Sequence, residues 1–256
     1  MSALHGRLRP KTPKKSVHAT ALRAPRPADA AVAAATDPTA PEDWQALLRE
    51  VRACTLCAAH LPLGPRPVLQ LHPQARILIA SQAPGRKVHE SGVPFDDASG
   101  DRLRDWMGIT REQFYDARRI AIVPMGLCYP GPGPHGDLPP RPECAPKWRE
   151  RLLGQLKNLE LTLVIGQYAH AWHLGERRVS VTDAVRGWRD HWPALLPLPH
   201  PSGRNNIWLR RNPWFEAELL PALRRRVAQA LAGRDRPRRR AGRIARAPSP
   251  GERRHG

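Results

Sequence analysis

Four short apolar runs alternate along the chain with segments of helical periodicity. The runs are rich in Ile, Val and Leu, which is typical of strands buried on both faces. They occupy residues 76–80, 119–123, 161–165 and 195–198. Helical patterns follow at 44–51, Ser99–Met107, Thr110–Asp116, Ala145–Leu156 and Gln167–Leu174. This alternation predicts a doubly wound α/β fold, with a mostly parallel four-stranded sheet flanked by helices and a ligand site beyond the carboxyl ends of the strands.

One further helix should close the domain. Its predicted N-cap is Asn212, with Pro213 in the first helical position and a stop at Gly233. Pro221 lies inside this pattern and lacks a backbone N–H, so it should kink the helix or divide it in two.

Basic segments flank the predicted fold. We predict disordered tails at 1–40 and 234–256 around one domain at 41–233, because few large apolar side chains are available in the tails to offset the entropy of ordering. The formal charge of the chain is +19, yet residues 41–223 hold 23 basic and 19 acidic residues. Most of the excess positive charge therefore lies in the tails.

Polycationic tails favour a nucleic-acid partner, because they gain affinity for phosphate backbones by releasing counterions. A solvated Arg-rich extension and an anionic membrane surface are the alternatives. No apolar run approaches the roughly 20 residues of a membrane span, and the N-terminus has no hydrophobic signal core. We expect a soluble, cytoplasmic monomer, associated with the nucleoid if the source is bacterial, although the first 40 residues also fit an organellar transit peptide.

All four cysteines fall within the predicted domain, as Cys54-Thr-Leu-Cys57, Cys128 and Cys144. In a reducing compartment, a CxxC pair with two further cysteines favours a metal site over a disulfide. Four thiolates suit either a tetrahedral Zn²⁺ or a [4Fe–4S] cluster, and their spacing does not distinguish the two.

Two loops after predicted strands carry polar signatures. Ser-Gln-Ala-Pro-Gly at 81–85 is followed by Gly-Val-Pro-Phe-Asp-Asp-Ala-Ser-Gly at 92–100, and His-Pro-Ser-Gly-Arg-Asn-Asn stands at 200–206. These loops resemble the two active-site motifs of the uracil-DNA glycosylase superfamily. The cysteine pattern resembles the iron–sulfur branch of that superfamily, often called family four, and this favours a [4Fe–4S] cluster over zinc. The resemblance spans roughly 44–223 in consistent order.

The resemblance implies a role for several loop residues. Phe95 occupies the position of the family's uracil-stacking phenylalanine, and His200 that of the histidine that stabilises charge on the departing base. Stacking and charge stabilisation are what excision of a flipped base requires. Backbone N–H groups near Gly85 and Ser202 are suited to grip a phosphate or a base oxygen.

The segment after His200 is expected to contact DNA. In the family this loop enters the minor groove and pushes the target nucleotide out of the duplex. Arginine and asparagine suit that task, because they contact phosphates and base edges alike. The candidates are Arg204, Asn205, Asn206, Arg210 and Arg211. Trp208 and Leu209 are candidates for an apolar wedge, and packing of the last helix on the sheet is the alternative role for Trp208 and Trp214.

Two departures from the family pattern concern the reading and hydrolysis of the base. The iron–sulfur branch has Glu before Ala-Pro-Gly, whereas this chain has Gln82, and a neutral amide can position a water without accepting its proton. Asp96 and Asp97, beside Phe95, are the favoured replacement carboxylates. The base-reading Asn of the family is missing, since residues 122–128 contain none.

The sequence therefore predicts a DNA glycosylase of base excision repair, with uracil as the expected base. No lysine in either motif loop is available to form a Schiff base, so a monofunctional enzyme is expected. The alternatives are a DNA-binding protein of the same fold with impaired catalysis, and an iron–sulfur redox or carrier protein.

Overall fold

The computed structural model describes residues 43–134, 136–175 and 180–232. The predicted tails at 1–40 and 234–256 and the helix stop at Gly233 lie outside these residues. No helix within the described ranges is long and apolar enough to cross a membrane.

The four predicted strands form one parallel sheet. The strands are β1 (Ile77–Ala80), β2 (Ile120–Ile122), β5 (Leu161–Ile165) and β6 (Leu195–Leu198), and their order across the sheet is β2-β1-β5-β6. A two-residue hairpin, β3 (Pro132–Gly133) with β4 (Gly136–Asp137), stands apart from the sheet. The predicted doubly wound α/β architecture is confirmed.

Helices cover both faces of the sheet. They are α1 (Trp44–Arg52), α2 (Arg86–Ser91), α3 (Ala98–Met107), α4 (Arg111–Tyr115), α5 (Cys144–Gly154), α6 (Gln167–His173), α7 (Val181–Arg186), α8 (Asn206–Arg211) and α9 (Leu220–Leu231). Short 3₁₀ turns occupy Ala58–His60, Trp188–His191 and Gly203–Asn205. Local chemistry explains several helix starts: Asp43 accepts from Gln45 N–H at 3.0 Å, and Thr110 forms a reciprocal capping box with Gln113.

The sheet separates two apolar layers, because successive strand side chains point to opposite faces. In β1, Ile77 and Ile79 belong to the layer that α3 and α9 cover, whereas Leu78 belongs to the layer under α1 and α5. All three are essentially inaccessible to solvent. This double burial explains why the strands appear in the sequence as continuous apolar runs.

The C-terminal helix differs in detail from its prediction. Asn212 ends α8, and its side chain donates to the Trp208 carbonyl at 2.8 Å instead of capping the next helix. The chain then forms a π-helical segment, Phe215–Leu219, before α9. Pro221 follows directly in the first turn of α9, so the chain changes from π-helical to α-helical geometry near the predicted position without leaving a helical conformation.

Backbone hydrogen bonds join the loops at the carboxyl edge of the sheet. Met125 and Gly126 donate to the Ser81 and Gln82 carbonyls, both at 2.8 Å. The segment that leads to Cys128 is thereby held against the first motif loop. On the other side, the Nε2 of His170 lies 3.0 Å from the carbonyls of both Val164 and Leu198, and so links the ends of β5 and β6.

Candidate active site

A pocket of about 570 Å³ opens at the carboxyl edge of the sheet. Both motif loops line it, together with the β3–β4 hairpin and residues that follow β2 and β5. Its polar lining includes Gln82, Asp97, Asp137, Tyr168, His200, Ser202, Arg204 and Asn205. Phe95, Gly85, Leu138 and Pro140 are among the other lining residues. The structure thus brings together loops that are separated by more than a hundred residues of sequence.

His200 is partly buried at this pocket, and its protonation is set by its surroundings. The backbone N–H of Ser202 donates to Nδ1 of His200 at 3.2 Å, so the proton of the neutral ring is on Nε2. Burial lowers the pKa of His200; the carboxylate of Asp97 opposes that shift, and the guanidinium of Arg204 adds to it. The ring is therefore a neutral donor at physiological pH.

Phe95 both lines the pocket and packs into the core. Its ring is 8% exposed and meets Phe114 edge to face, with the ring centroids 6.1 Å apart. The backbone has a φ of 55°, which is unusual for a residue with a side chain. A Cβ at Gly100 would overlap the Phe95 carbonyl oxygen, so the start of α3 presses directly against this loop. Phe95 is consequently confined between the core and the start of α3.

Gln82 also reaches the pocket. Its side chain lies against Gly166, where an added Cβ would be 2.9 Å from the Gln82 Cδ. The absence of a side chain at Gly166 therefore makes room for the side-chain amide of Gln82. Gly85 lines the same pocket and precedes α2. Gln82, Gly85, Phe95, His200 and Ser202 all fall within one site, in agreement with their grouping by motif.

The structure separates the two favoured replacement carboxylates. Asp97 lines the pocket, where its Oδ1 also accepts from the Gly100 N–H at 2.9 Å and caps α3. Asp96 is not among the pocket-lining residues; its carboxylate accepts from Arg111 at 2.8 Å, and this contact lowers its pKa. The ion pair directs the Asp96 carboxylate toward α4, so the predicted catalytic position for Asp96 needs correction.

Sequence reasoning missed Asp137. This residue lies at the end of the β3–β4 hairpin and lines the pocket, with Oδ2 3.5 Å from the position that a Cβ of Gly85 would occupy. Its surroundings in the sequence, rich in Pro and Gly, match no motif of the family. Only the folded contact with the first motif loop identifies it.

The expected DNA-contacting residues form a connected loop and helix. Asn205 donates to the His200 carbonyl at 2.7 Å, and Asn206 accepts from Arg102 at 2.9 Å. Arg204 and Asn205 line the pocket. Arg210 and Arg211 lie on α8. Arg102 also donates to the Ser202 carbonyl at 3.1 Å, so α3 braces the loop that carries His200.

Trp208 is held within the fold, which favours the packing alternative for this tryptophan. Trp208 packs against Trp214 and Phe215 and donates its ring N–H to Thr182 at 2.8 Å. Leu209 packs against the same core layer. Ile207, by contrast, is 54% exposed between Asn206 and these anchored residues. Among the three apolar side chains of α8, Ile207 is therefore the most exposed.

The four cysteines line one small cavity together with Leu127 and Trp148. The Trp148 ring N–H donates to the Cys54 sulfur and the Leu127 backbone N–H to the Cys144 sulfur, both at 3.3 Å. Burial, together with the neighbouring cysteines, raises the pKa of the Cys128 thiol to about 11 and that of the Cys144 thiol to about 12. Among the described residues, no three His, Cys, Asp or Glu side chains converge on a single ion position.

Comparison with known families agrees with this geometry. Residues 69–224, more than half of the chain, match the uracil DNA glycosylase superfamily. The matched range contains all four strands of the sheet, both motif loops, Cys128 and Cys144, whereas Cys54 and Cys57 precede it. With the parallel sheet and the pocket at its carboxyl edge, the match establishes that this chain belongs to the uracil-DNA glycosylase superfamily.

Proposed function

We propose that the protein is a monofunctional DNA glycosylase that hydrolyses the N-glycosidic bond of a deaminated base, with uracil as the main substrate. The observation that carries this proposal is that one pocket is lined by Phe95 and by His200, whose Nδ1 accepts from Ser202 and whose Nε2 is left as the donor. An aromatic face and a fixed hydrogen-bond donor are what capture and release of a flipped base require.

Each residue then has a role in the reaction. The flipped base stacks on Phe95, and the Nε2–H of His200 donates to a base oxygen on which negative charge develops as the bond breaks. This donor stabilises the transition state more than the ground state, because the charge is largest when the bond is partly broken. No lysine lines the pocket among the described residues, in keeping with hydrolysis without a Schiff base.

DNA is held by the loop and helix that follow His200. Arg204, Asn205 and Asn206 reach the phosphates and base edges near the flipped nucleotide, while Arg210 and Arg211 contact the backbone farther along. Ile207 enters the base stack as the apolar wedge. The basic tails add affinity that does not depend on sequence.

We further propose that Cys54, Cys57, Cys128 and Cys144 hold a structural [4Fe–4S] cluster, with zinc as the less favoured occupant. Four thiols lining one cavity are a soft donor set that fits iron–sulfur, and the N–H groups of Trp148 and Leu127 are placed to stabilise sulfur charge. The bound group would join α1 to the loop after β2 and to the start of α5. The segment beside the first motif loop would thereby be clamped.

A second candidate is a DNA-binding member of the superfamily with impaired excision. Gln82 in place of a carboxylate and the lack of asparagine at 122–128 favour it. Full-length protein incubated with oligonucleotides bearing uracil, hypoxanthine or xanthine, followed by alkaline cleavage of abasic sites, separates the candidates. Strand cleavage at uracil supports the glycosylase, whereas stoichiometric DNA binding without cleavage at any base supports the second candidate.

A further inference from the structure

We propose that Asp137, on the β3–β4 hairpin, supplies the catalytic carboxylate that the first motif loop lacks. The inference rests on the proposed glycosylase function and extends it, since Asp137 belongs to neither motif loop. Gln82 lines the pocket with a neutral amide, which cannot take up the proton of an attacking water.

The position of Asp137 comes from the hairpin. Pro132 pairs with Asp137 and Gly133 with Gly136, which turns the chain back over the pocket between Cys128 and Cys144. Asp137 lies beside Gly85. A Cβ added to Gly85 would be 3.5 Å from the Oδ2 of Asp137. The carboxylate therefore faces the first motif loop in the same pocket as His200.

Neighbouring side chains hold the hairpin in this place. Tyr129 is 4% exposed, and its side chain is within hydrogen-bonding reach of the Asp137 carboxylate. The hydroxyl is thus placed to orient the carboxylate. The guanidinium of Arg204 packs over Gly136, where any Cβ would clash with it, so the hairpin also contacts the His200 loop.

The other nearby carboxylates have structural partners. Asp97 lines the pocket but accepts from the Gly100 N–H as the cap of α3, and Asp96 pairs with Arg111. Glu90 accepts from Arg86 at 2.9 Å on α2. Of the described residues that line the pocket, Asp97 and Asp137 are the two that carry carboxylates. Asp137 is the one that does not cap a helix.

In the proposed step, the bond from C1′ to the base nitrogen breaks and its electron pair leaves with the base, whose charge His200 stabilises. A water oxygen bonds to C1′, and the proton released from that water goes to the Asp137 carboxylate. Before the attack, the negative carboxylate also stabilises the positive charge that develops on the sugar. One side chain thus replaces both functions of the missing glutamate.

The first test compares Asp137→Asn with Asp137→Glu and a matched control, Asp105→Asn. Asp105 lies on α3 with its side chain 77% exposed and does not line the pocket. Under single-turnover conditions, we expect Asp137→Asn to lower the rate of uracil excision on the order of 10²–10⁴-fold, the usual range for a general base. Asp137→Glu should recover part of that loss, and Asp105→Asn should match wild type.

The second test does not require excision. Duplex DNA carrying a cationic pyrrolidine abasic site is compared with DNA carrying a neutral tetrahydrofuran site. We expect wild type to bind the cationic site more tightly, Asp137→Asn to lose that preference and Asp137→Glu to keep part of it. A wild type without the preference, or an Asp137→Asn variant that retains both the preference and the excision rate, overturns the inference.

The two tests also separate this inference from the proposed function. If wild type prefers the cationic site, Asp137→Asn loses that preference and no base is excised, the role of the Asp137 carboxylate is supported and the glycosylase activity is refuted. Excision of uracil at the same rate by wild type and by the Asp137→Asn variant would support the glycosylase and refute the carboxylate. Melting temperature and iron content, measured for every variant, identify a loss that arises from misfolding.

Discussion

The backbone N–H of Ser202 donates to Nδ1 of His200 at 3.2 Å, so the loop itself selects which ring nitrogen holds the proton. The same loop is anchored by Asn205, which donates to the His200 carbonyl, and by Arg102, which donates to the Ser202 carbonyl. The tautomer of His200 is thus a consequence of loop conformation. Substitutions at this loop should change the chemistry before they change the fold.

Replacing His200 with Ala should lower the single-turnover excision rate on the order of 10²–10³-fold, the usual effect of losing one such donor. DNA affinity should change little, because the hydrogen bond strengthens mainly as the base departs. Phe95→Ala should weaken both base capture and rate, since stacking acts before the bond breaks. Equal excision by wild type and His200→Ala, with equal iron content, would remove His200 from the mechanism.

The pH dependence of excision should reflect the lowered pKa of His200. The neutral ring is the active form, so the rate should stay level as pH falls to about 6.5, the ordinary histidine value, and decline only below it. Asp97 opposes the shift and Arg204 adds to it. Asp97→Asn should therefore shift the decline in rate to lower pH, and Arg204→Ala should shift that decline to higher pH. A decline that shifts in the same direction in both variants would contradict its assignment to His200.

Anaerobically purified protein should be brown and contain about four iron atoms per chain. Cys54→Ser and Cys144→Ser should lose the colour and reduce solubility, because the cluster contributes to folding. Trp148→Phe keeps an aromatic ring and removes the N–H that reaches Cys54, so this control should retain iron. Iron assay and visible absorption measure the outcome, and one zinc without iron would contradict the cluster.

Replacing Ile207, the proposed wedge, with a smaller side chain should lower uracil excision from duplex DNA more than from single-stranded DNA. Burying an Ile side chain contributes about 1.5–3 kcal/mol, so Ile207→Ala should reduce uracil excision from duplex DNA by roughly tenfold or more. Single-stranded DNA needs no unstacking of a partner strand, so its excision should change less. Leu63, also exposed, provides the control through Leu63→Ala. An equal loss on both substrates would place Ile207 outside the wedge role.

Deletion of residues 1–40 and 234–256 should weaken non-specific DNA binding and flatten its salt dependence, because fewer counterions are released. Excision at saturating substrate should be retained, since the pocket lies within the remaining domain. Binding measured between low and moderate salt, with single-turnover rates in parallel, tests both statements. A truncated protein that is inactive at saturation would show that the proposed domain boundaries are too narrow.

Much of the fold follows from local sequence. The run Leu161–Ile165 is apolar at nearly every position because both faces of β5 are buried, and such a run is recognisable without a structure. The capping chemistry at Asp43 and Thr110 likewise marks helix starts from side chains a few residues apart. Pro221 marks an irregularity in the last helix in the same local way, but the π-helical form of Phe215–Leu219 carries no such signal.

The sheet, the two motif loops and the set of four cysteines can be recognised from sequence, since each depends on residue types in a short, ordered pattern. Which side chains line the pocket depends on the tertiary fold. It turned Asp96 toward Arg111, left Ile207 exposed where Trp208 is anchored, and brought Asp137 against Gly85 from a distant part of the chain. A two-residue hairpin strand carries no periodicity, and a contact between distant loops exists only after the sheet has aligned their ends.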